Sequence, residues 1–286
     1  MRKNSAHSGF FATFFALGTL LLSSIVANQV LADQWCDGDF CIQTEERTSD
    51  VIFTGTNKNA FGTVSARVKL ELNNMELDRE TPLRFVFQAN ETRELFRLKT
   101  EDRSKATYRF WYWWSHGDYT AQHDTSKIYY VPTTPGKRVE VSQSCNGPFS
   151  HIGTRQYAID FPLEIGSAVH AARAGTVIAI KENSNKGGRD KSFAQHSNYI
   201  FIQHDDSTIA AYLHLQKDGA EVELGESVSE QQFIGRSGNT GWSTTPHLHF
   251  EVFKPNKNLK WQSIKTVFVT RRGPVVCPTS GVLLPL

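Results

Sequence analysis

Beyond its first 32 residues this chain has no segment with the 3.6-residue apolar stripe of an amphipathic helix, and that restricts it to β architectures. What recurs instead is two-residue alternation and clustering of β-branched and aromatic residues, the pattern of half-buried strands. Val51-Ile52-Phe53, Thr63 to Leu72 and Leu83-Arg84-Phe85-Val86-Phe87 read this way, punctuated by Asn and Gly. Gly175 to Ile180, Tyr199 to Gln203, Ile209 to Tyr212 and His247 to Phe253 repeat the pattern, with tight turns at Gly166, Gly175, Gly225 and Gly235. The expectation is an all-β protein whose short N-terminal strands form a β-sandwich-like domain.

At 286 residues the chain is long enough for two ordinary domains. The turn-like Thr133-Thr134-Pro135-Gly136-Lys137 places the junction near Val141. The expected division is residues 1–32, a leader; 33–140, an N-terminal β-rich domain of unknown role; and 141–286, a second domain with a C-terminal tail. The leader carries Arg2 and Lys3, an apolar run from Phe10 to Ala27, and Val30-Leu31-Ala32 before Asp33, which is the form of a cleavable secretory signal peptide. No stable membrane insertion is expected after cleavage, and no lipid-attachment box precedes Cys36. The leader holds two cations and no acid, so without it the 31 Lys+Arg fall to match the 29 Asp+Glu. A near-neutral exported chain with no basic patch excludes nucleic acid as a partner.

Export permits disulfides among the four cysteines, Cys36, Cys41, Cys145 and Cys277. Three pairings exist in principle. The preferred one joins Cys36 to Cys41 in a short loop and Cys145 to Cys277, tying the start of the second domain to its tail. Two other features stand out. Tyr108 to Trp114 reads Tyr-Arg-Phe-Trp-Tyr-Trp-Trp, either a stacking surface for glycan or peptide or a strand packed on both faces. Asn183 to Ser197 is long, polar and glycine-bearing, either a groove wall or a solvated insertion.

The chemistry concentrates in histidines. In Pro246-His247-Leu248-His249-Phe250-Glu251-Val252, strand alternation turns His247 and His249 to one face. Ser150-His151 precedes Tyr157-Ala158-Ile159-Asp160-Phe161, and Ala211-Tyr212-Leu213-His214-Leu215 follows later. Zinc accepts imidazole nitrogen and carboxylate oxygen, and a catalytic zinc takes three protein ligands and keeps a position open. A His-Asp-His set with two histidines to spare meets that demand. His170, His196 and His204 read as structural or solvated residues, and His116 and His123 fall in the first domain.

From about Val141 to Val269 the chain resembles the lysostaphin/LytM-type zinc metallopeptidases that cut peptide bonds in bacterial cell walls. The matching pieces occur in family order: Ser-His ahead of Tyr-Ala-Ile-Asp-Phe, Tyr-Leu-His-Leu, Ser237-Gly238-Asn239-Thr240-Gly241-Trp242-Ser243-Thr244, and His-Leu-His-Phe-Glu-Val. The resemblance implies a compact antiparallel β-sheet metallopeptidase domain with a zinc groove. It implies that His151, Asp160 and His249 bind one Zn2+ and that His214 and His247 act as general base and transition-state stabiliser. One departure is visible: the commoner pattern puts the first histidine four residues before the aspartate, where this chain has Gln156, and His151 stands further back.

The resemblance implies an exported zinc metalloendopeptidase acting on peptidoglycan peptide stems, in the periplasm or secreted by a Gram-negative-type bacterium. It leaves room for partners in the cell-wall machinery. The bond could join D-Ala to diaminopimelate or lie in a glycine-rich bridge. The alternative is a non-catalytic LytM-type regulator that activates other wall hydrolases; such relatives lose the metal residues, whereas all five positions are filled here.

Overall fold

The computed structural model describes residues 7–8, 32–281 and 283–284, and among them it is nearly all β, with only short 3-10 turns as helix. The expected leader lies almost entirely outside the described residues. No helix among the described residues is long and apolar enough to cross a membrane. The chain divides into two units, residues 1–58 with 64–114 and residues 59–63 with 115–286.

In the first unit, β1 (Ala32–Asp37), β2 (Phe40–Glu46), β3 (Asp50–Asn57) and β6 (Thr92–Lys99) lie in that order in one sheet, with the short strand Glu76–Leu77 at its edge. The second sheet sets β7 (Thr107–His116) beside β4 (Val64–Asn73) and β4 beside β5 (Leu83–Phe87). Alternate residues of both sheets, among them Phe40, Phe53, Val64, Phe85, Phe110 and Tyr112, share one buried core, which makes the unit sandwich-like. The aromatic run is β7. Its Tyr108, Phe110 and Tyr112 fill the core, while Trp111 and Trp113 lie on the opposite face under Lys69 and Arg67. Cys36 and Cys41 are disulfide-bonded across the β1–β2 hairpin.

In the second unit a sheet runs β8 (Ile159–Phe161), β13 (Leu248–Pro255), β11 (Ile209–Leu213), β10 (Tyr199–Gln203), β9 (Gly175–Lys181) and β12 (Ser227–Val228), and β14 (Trp261–Ile264) also pairs with β13. The pairings in this sheet are antiparallel. Both faces are covered. Ile159, Phe161, Tyr212, Leu248, Phe250 and Val252 enter the larger core, and Ile209, Ala211, Leu213 and Phe253 enter a smaller one. The second disulfide, Cys145–Cys277, closes within this unit.

The unit boundary falls at 114/115, ahead of the junction expected near Val141. The reason is packing: Tyr129 and Val131 are buried in the larger core of the second unit, and Tyr129–Tyr130 pairs in parallel with Val267–Val269. A Pro-Gly turn inside a segment already docked does not separate domains. His116 and His123 therefore belong to the second unit, where His123 lies 3.3 Å from Asp206.

Candidate metal centre

β8 pairs with β13 so that Asp160 stands directly opposite His249. Their neighbours Ile159, Phe161, Leu248 and Phe250 point into the larger core, so alternation turns Asp160 and His249 to the other face. There His249 Nδ1 lies 2.9 Å from Asp160 Oδ1. His151 reaches the same oxygen from a loop, its Nε2 at 3.2 Å. The loop is returned by the Cys145 disulfide, by the Asn146 N–H donated to the Gln156 carbonyl and by the His151 N–H donated to Gly147. Gln156 caps the 3-10 turn Gly153–Arg155 instead of joining the cluster. One ligand atom each from His151, Asp160 and His249 lies within 4.8 Å of the others, and all three residues are buried.

The protonation pattern follows from the outer partners. A carbonyl only accepts, so His151 Nδ1–H donates to the Ser144 carbonyl at 2.9 Å and Nε2 is the nitrogen turned to Asp160. Gln143 Nε2–H donates to Asp160 Oδ2 at 2.9 Å, leaving Oδ1 to face the two imidazoles. His249 turns Nε2 toward Glu251 Oε1, at 3.6 Å, with Nδ1 on the cluster side. Glu251 is fully buried, and both its oxygens lack a hydrogen-bond partner. Without metal, burial alone would raise the Asp160 pKa, yet hydrogen bonds from His151 and His249 hold it well below the ordinary carboxylate range. Burial would lower His249, and the Asp160 and Glu251 carboxylates overcome this and push it up to about 9. Two imidazole nitrogens and one carboxylate oxygen, gathered out of water with the far atoms of His151 and Asp160 hydrogen-bonded, form a donor set that fits a divalent metal.

His214 and His247 stand beside this set. His214 follows the last residue of β11 with φ +66°, a left-handed conformation that costs an ordinary residue about 1 kcal/mol. Its ring centroid is 4.6 Å from that of His247 and 5.9 Å from that of His249. His214 Nδ1–H donates to the Thr240 carbonyl at 2.7 Å, and His247 Nδ1–H to the Thr245 carbonyl at 2.8 Å. Each neutral ring therefore keeps its Nε2 as a proton acceptor, and His247 Nε2 lies 3.8 Å from Asp160 Oδ1. Burial lowers both pKa values, His214 well below the ordinary histidine range.

A groove of about 270 Å³ runs over these residues, lined also by Gln143, Phe149, Arg155, Leu213, Trp242 and Ser243. The polar segment from Asn183 supplies part of its wall through Ala194 and Ser197. That segment is pinned where Gly187 pairs with Gly241; a Cβ at Gly187 would sit 1.9 Å from the Asn239 carbonyl oxygen. Phe149 and Trp242 meet at the rim with ring centroids 5.6 Å apart. His204 is buried away from the groove, its Nδ1–H on the Ala174 carbonyl. Gln143, Glu251 and Arg155 are the neighbours that the sequence did not announce. Only Glu251 carried a signal, two positions beyond His249 on the same strand face.

Comparisons with known proteins find relatives of the second unit. Residues 154–261 match the model of peptidase family M23, and His151 lies just ahead of that segment. An uncharacterized metalloprotease of Buchnera aphidicola subsp. Baizongia pistaciae is 34% identical over 134 residues, covering 46% of this chain and 32% of the relative. The peptidoglycan DD-endopeptidase ShyA of Vibrio cholerae is 39% identical over 93 residues, covering 32% of this chain and 19% of the relative. The chain thus spans a third or less of the length of these relatives. Among solved structures, the catalytic domain of lysostaphin from Staphylococcus simulans is 28% identical with a TM-score of 0.30, covering 41% of this chain and 79% of that one. Over residues 154–261 the chain is thus similar to peptidase family M23, the lysostaphin-like family that its histidine motifs resemble.

Proposed function

We propose that the chain is an exported zinc metalloendopeptidase that hydrolyses peptide cross-links of bacterial peptidoglycan. The observation that carries this reading is a buried His-Asp-His ligand set beside two further histidines, each with Nδ1–H spent on a carbonyl and Nε2 left basic. The relative named a peptidoglycan DD-endopeptidase supports the substrate class. The leader composition and the two disulfides support export to the periplasm or beyond.

In this reading His151, Asp160 and His249 would hold the zinc. When bound, zinc supplies a Lewis acid that polarises the scissile carbonyl and lowers the pKa of a water. Nε2 of His214 or His247 takes the proton of the attacking water, and the imidazolium then returns it to the leaving amine. Burial keeps both rings neutral near pH 7, so each is ready to accept. Thr240 and Thr245 prevent either ring from presenting the wrong nitrogen.

The test is to incubate protein lacking residues 1–32 with peptidoglycan sacculi, with and without a zinc chelator, and to identify released fragments by mass spectrometry. Cross-link cleavage products that vanish with the chelator are expected. Zinc-loaded protein that releases nothing from any wall would refute the enzyme and favour a regulator.

A further inference from the structure

The groove lining holds one acid and one strong base, Asp160 and Arg155, and Asp160 belongs to the His-Asp-His cluster. Among the groove-lining residues Arg155 is the single Lys or Arg. It ends the 3-10 turn that follows His151, and its side chain is 38% exposed. Its guanidinium carbon lies 5.5 Å over the Trp261 ring, and its Nε is 3.7 Å from Glu251 Oε1, longer than a hydrogen bond. These two contacts hold the side chain, yet it makes no side-chain hydrogen bond among the described residues. Glu251 is completely buried, so of this ion pair only the cation faces a substrate. A guanidinium with five donors in a planar fork, held and unspent beside a peptidase centre, matches a carboxylate.

Resting on the peptidase reading above, we propose that Arg155 determines substrate class by binding a free carboxylate next to the scissile amide. The preferred cross-link is therefore one whose residue flanking the cut bond carries a side-chain carboxylate, such as a diaminopimelate-type diamino diacid. An unbroken glycine run, which offers only uncharged amides there, is disfavoured.

The experiment compares two soluble cross-linked muropeptide dimers, identical except that the diaminopimelate carboxylate beside the cleaved bond is free in one and amidated in the other. Full-length zinc-loaded protein, Arg155→Gln and Arg155→Lys are assayed on both. Wild type is expected to favour the free carboxylate by about 10- to 100-fold in kcat/KM, the usual worth of a hydrogen bond to a charged group. In Arg155→Gln the ratio should fall to about 1, chiefly through KM, and Arg155→Lys should keep part of it. Zinc content of the variants is measured alongside. A wild type that cuts both dimers equally, an Arg155→Gln ratio that does not move, or an Arg155→Gln that changes the ratio only by losing zinc would overturn the proposal. A wild type that cuts neither dimer nor sacculi would instead sink the peptidase reading, and the specificity proposal with it.

Discussion

Replacing Glu251 by Gln removes one negative charge from an enclosed place and leaves the shape nearly unchanged. Glu251 lies opposite Ala211 in the register of β13 and β11, fully buried, with His249 Nε2 at 3.6 Å and Arg155 Nε at 3.7 Å. Burial would raise its pKa, but contact with His249 and the charge of Arg155 hold it below the ordinary value, so it is ionised at neutral pH. An ionised carboxylate behind a ligand imidazole fixes the ring and strengthens its donation, and losing such a partner weakens metal binding by about 10- to 100-fold. At about 1.4 kcal/mol per tenfold change that is roughly 1.4 to 2.7 kcal/mol. Protons compete in the opposite sense. The same carboxylate helps hold metal-free His249 at about 9, so below pH 9 a metal must displace a proton, and Gln eases that competition. The loss should therefore be largest at pH 9 and partly offset at pH 7. Zinc titrations against a chromophoric chelator at both pH values measure it, with the Tm of the metal-free proteins as control. Affinity at pH 9 within about twofold of wild type would refute the reasoning, as would a loss matched by collapse of the metal-free fold.

Four further outcomes are expected. His249→Ala should lose metal yet keep a cooperative thermal transition, whereas His247→Ala should retain metal and lose rate by about 10²- to 10⁴-fold, the worth of a general base; full activity in either variant would remove these residues from the mechanism. Burial lowers the pKa of His204 to about 4, so the stability its neutral form contributes is present above pH 6.5 and lost as pH falls toward 4. The loss totals on the order of 3 kcal/mol; His204→Gln should flatten the acid limb of stability against pH, and parallel profiles would contradict this. Breaking Cys145–Cys277 with Cys277→Ser opens a loop with a sequence separation of 132 and should lower stability by about 3 to 5 kcal/mol, read by denaturant unfolding.

Local sequence determined what depends on local geometry. Two-residue alternation made β4, β5 and β13 strands and put His247 with His249, both turned to Asp160, and Tyr108 with Phe110 and Tyr112, on shared faces, because successive side chains of a strand must point to opposite sides. The motif order from Ser150-His151 to His247-Leu248-His249 was legible for the same reason: each piece is a short run whose residue types serve one chemistry. Pairing of strands distant in the chain decided the rest. Asp160 and His249 are 89 residues apart, and only the β8–β13 register brings them opposite one another. Gln143 reaches Asp160, and Arg155 reaches Glu251, only because a loop closed by a disulfide to residue 277 folds back over that register. The unit boundary was hidden likewise, since Tyr129 belongs to the second unit through core residues and a strand near Phe268 that no neighbouring sequence announces. A one-residue slip of β13 would turn the histidines into the apolar core and Leu248 and Phe250 toward the groove. The His-Asp-His cluster therefore exists by virtue of the register, which the burial of both sheet faces holds in place.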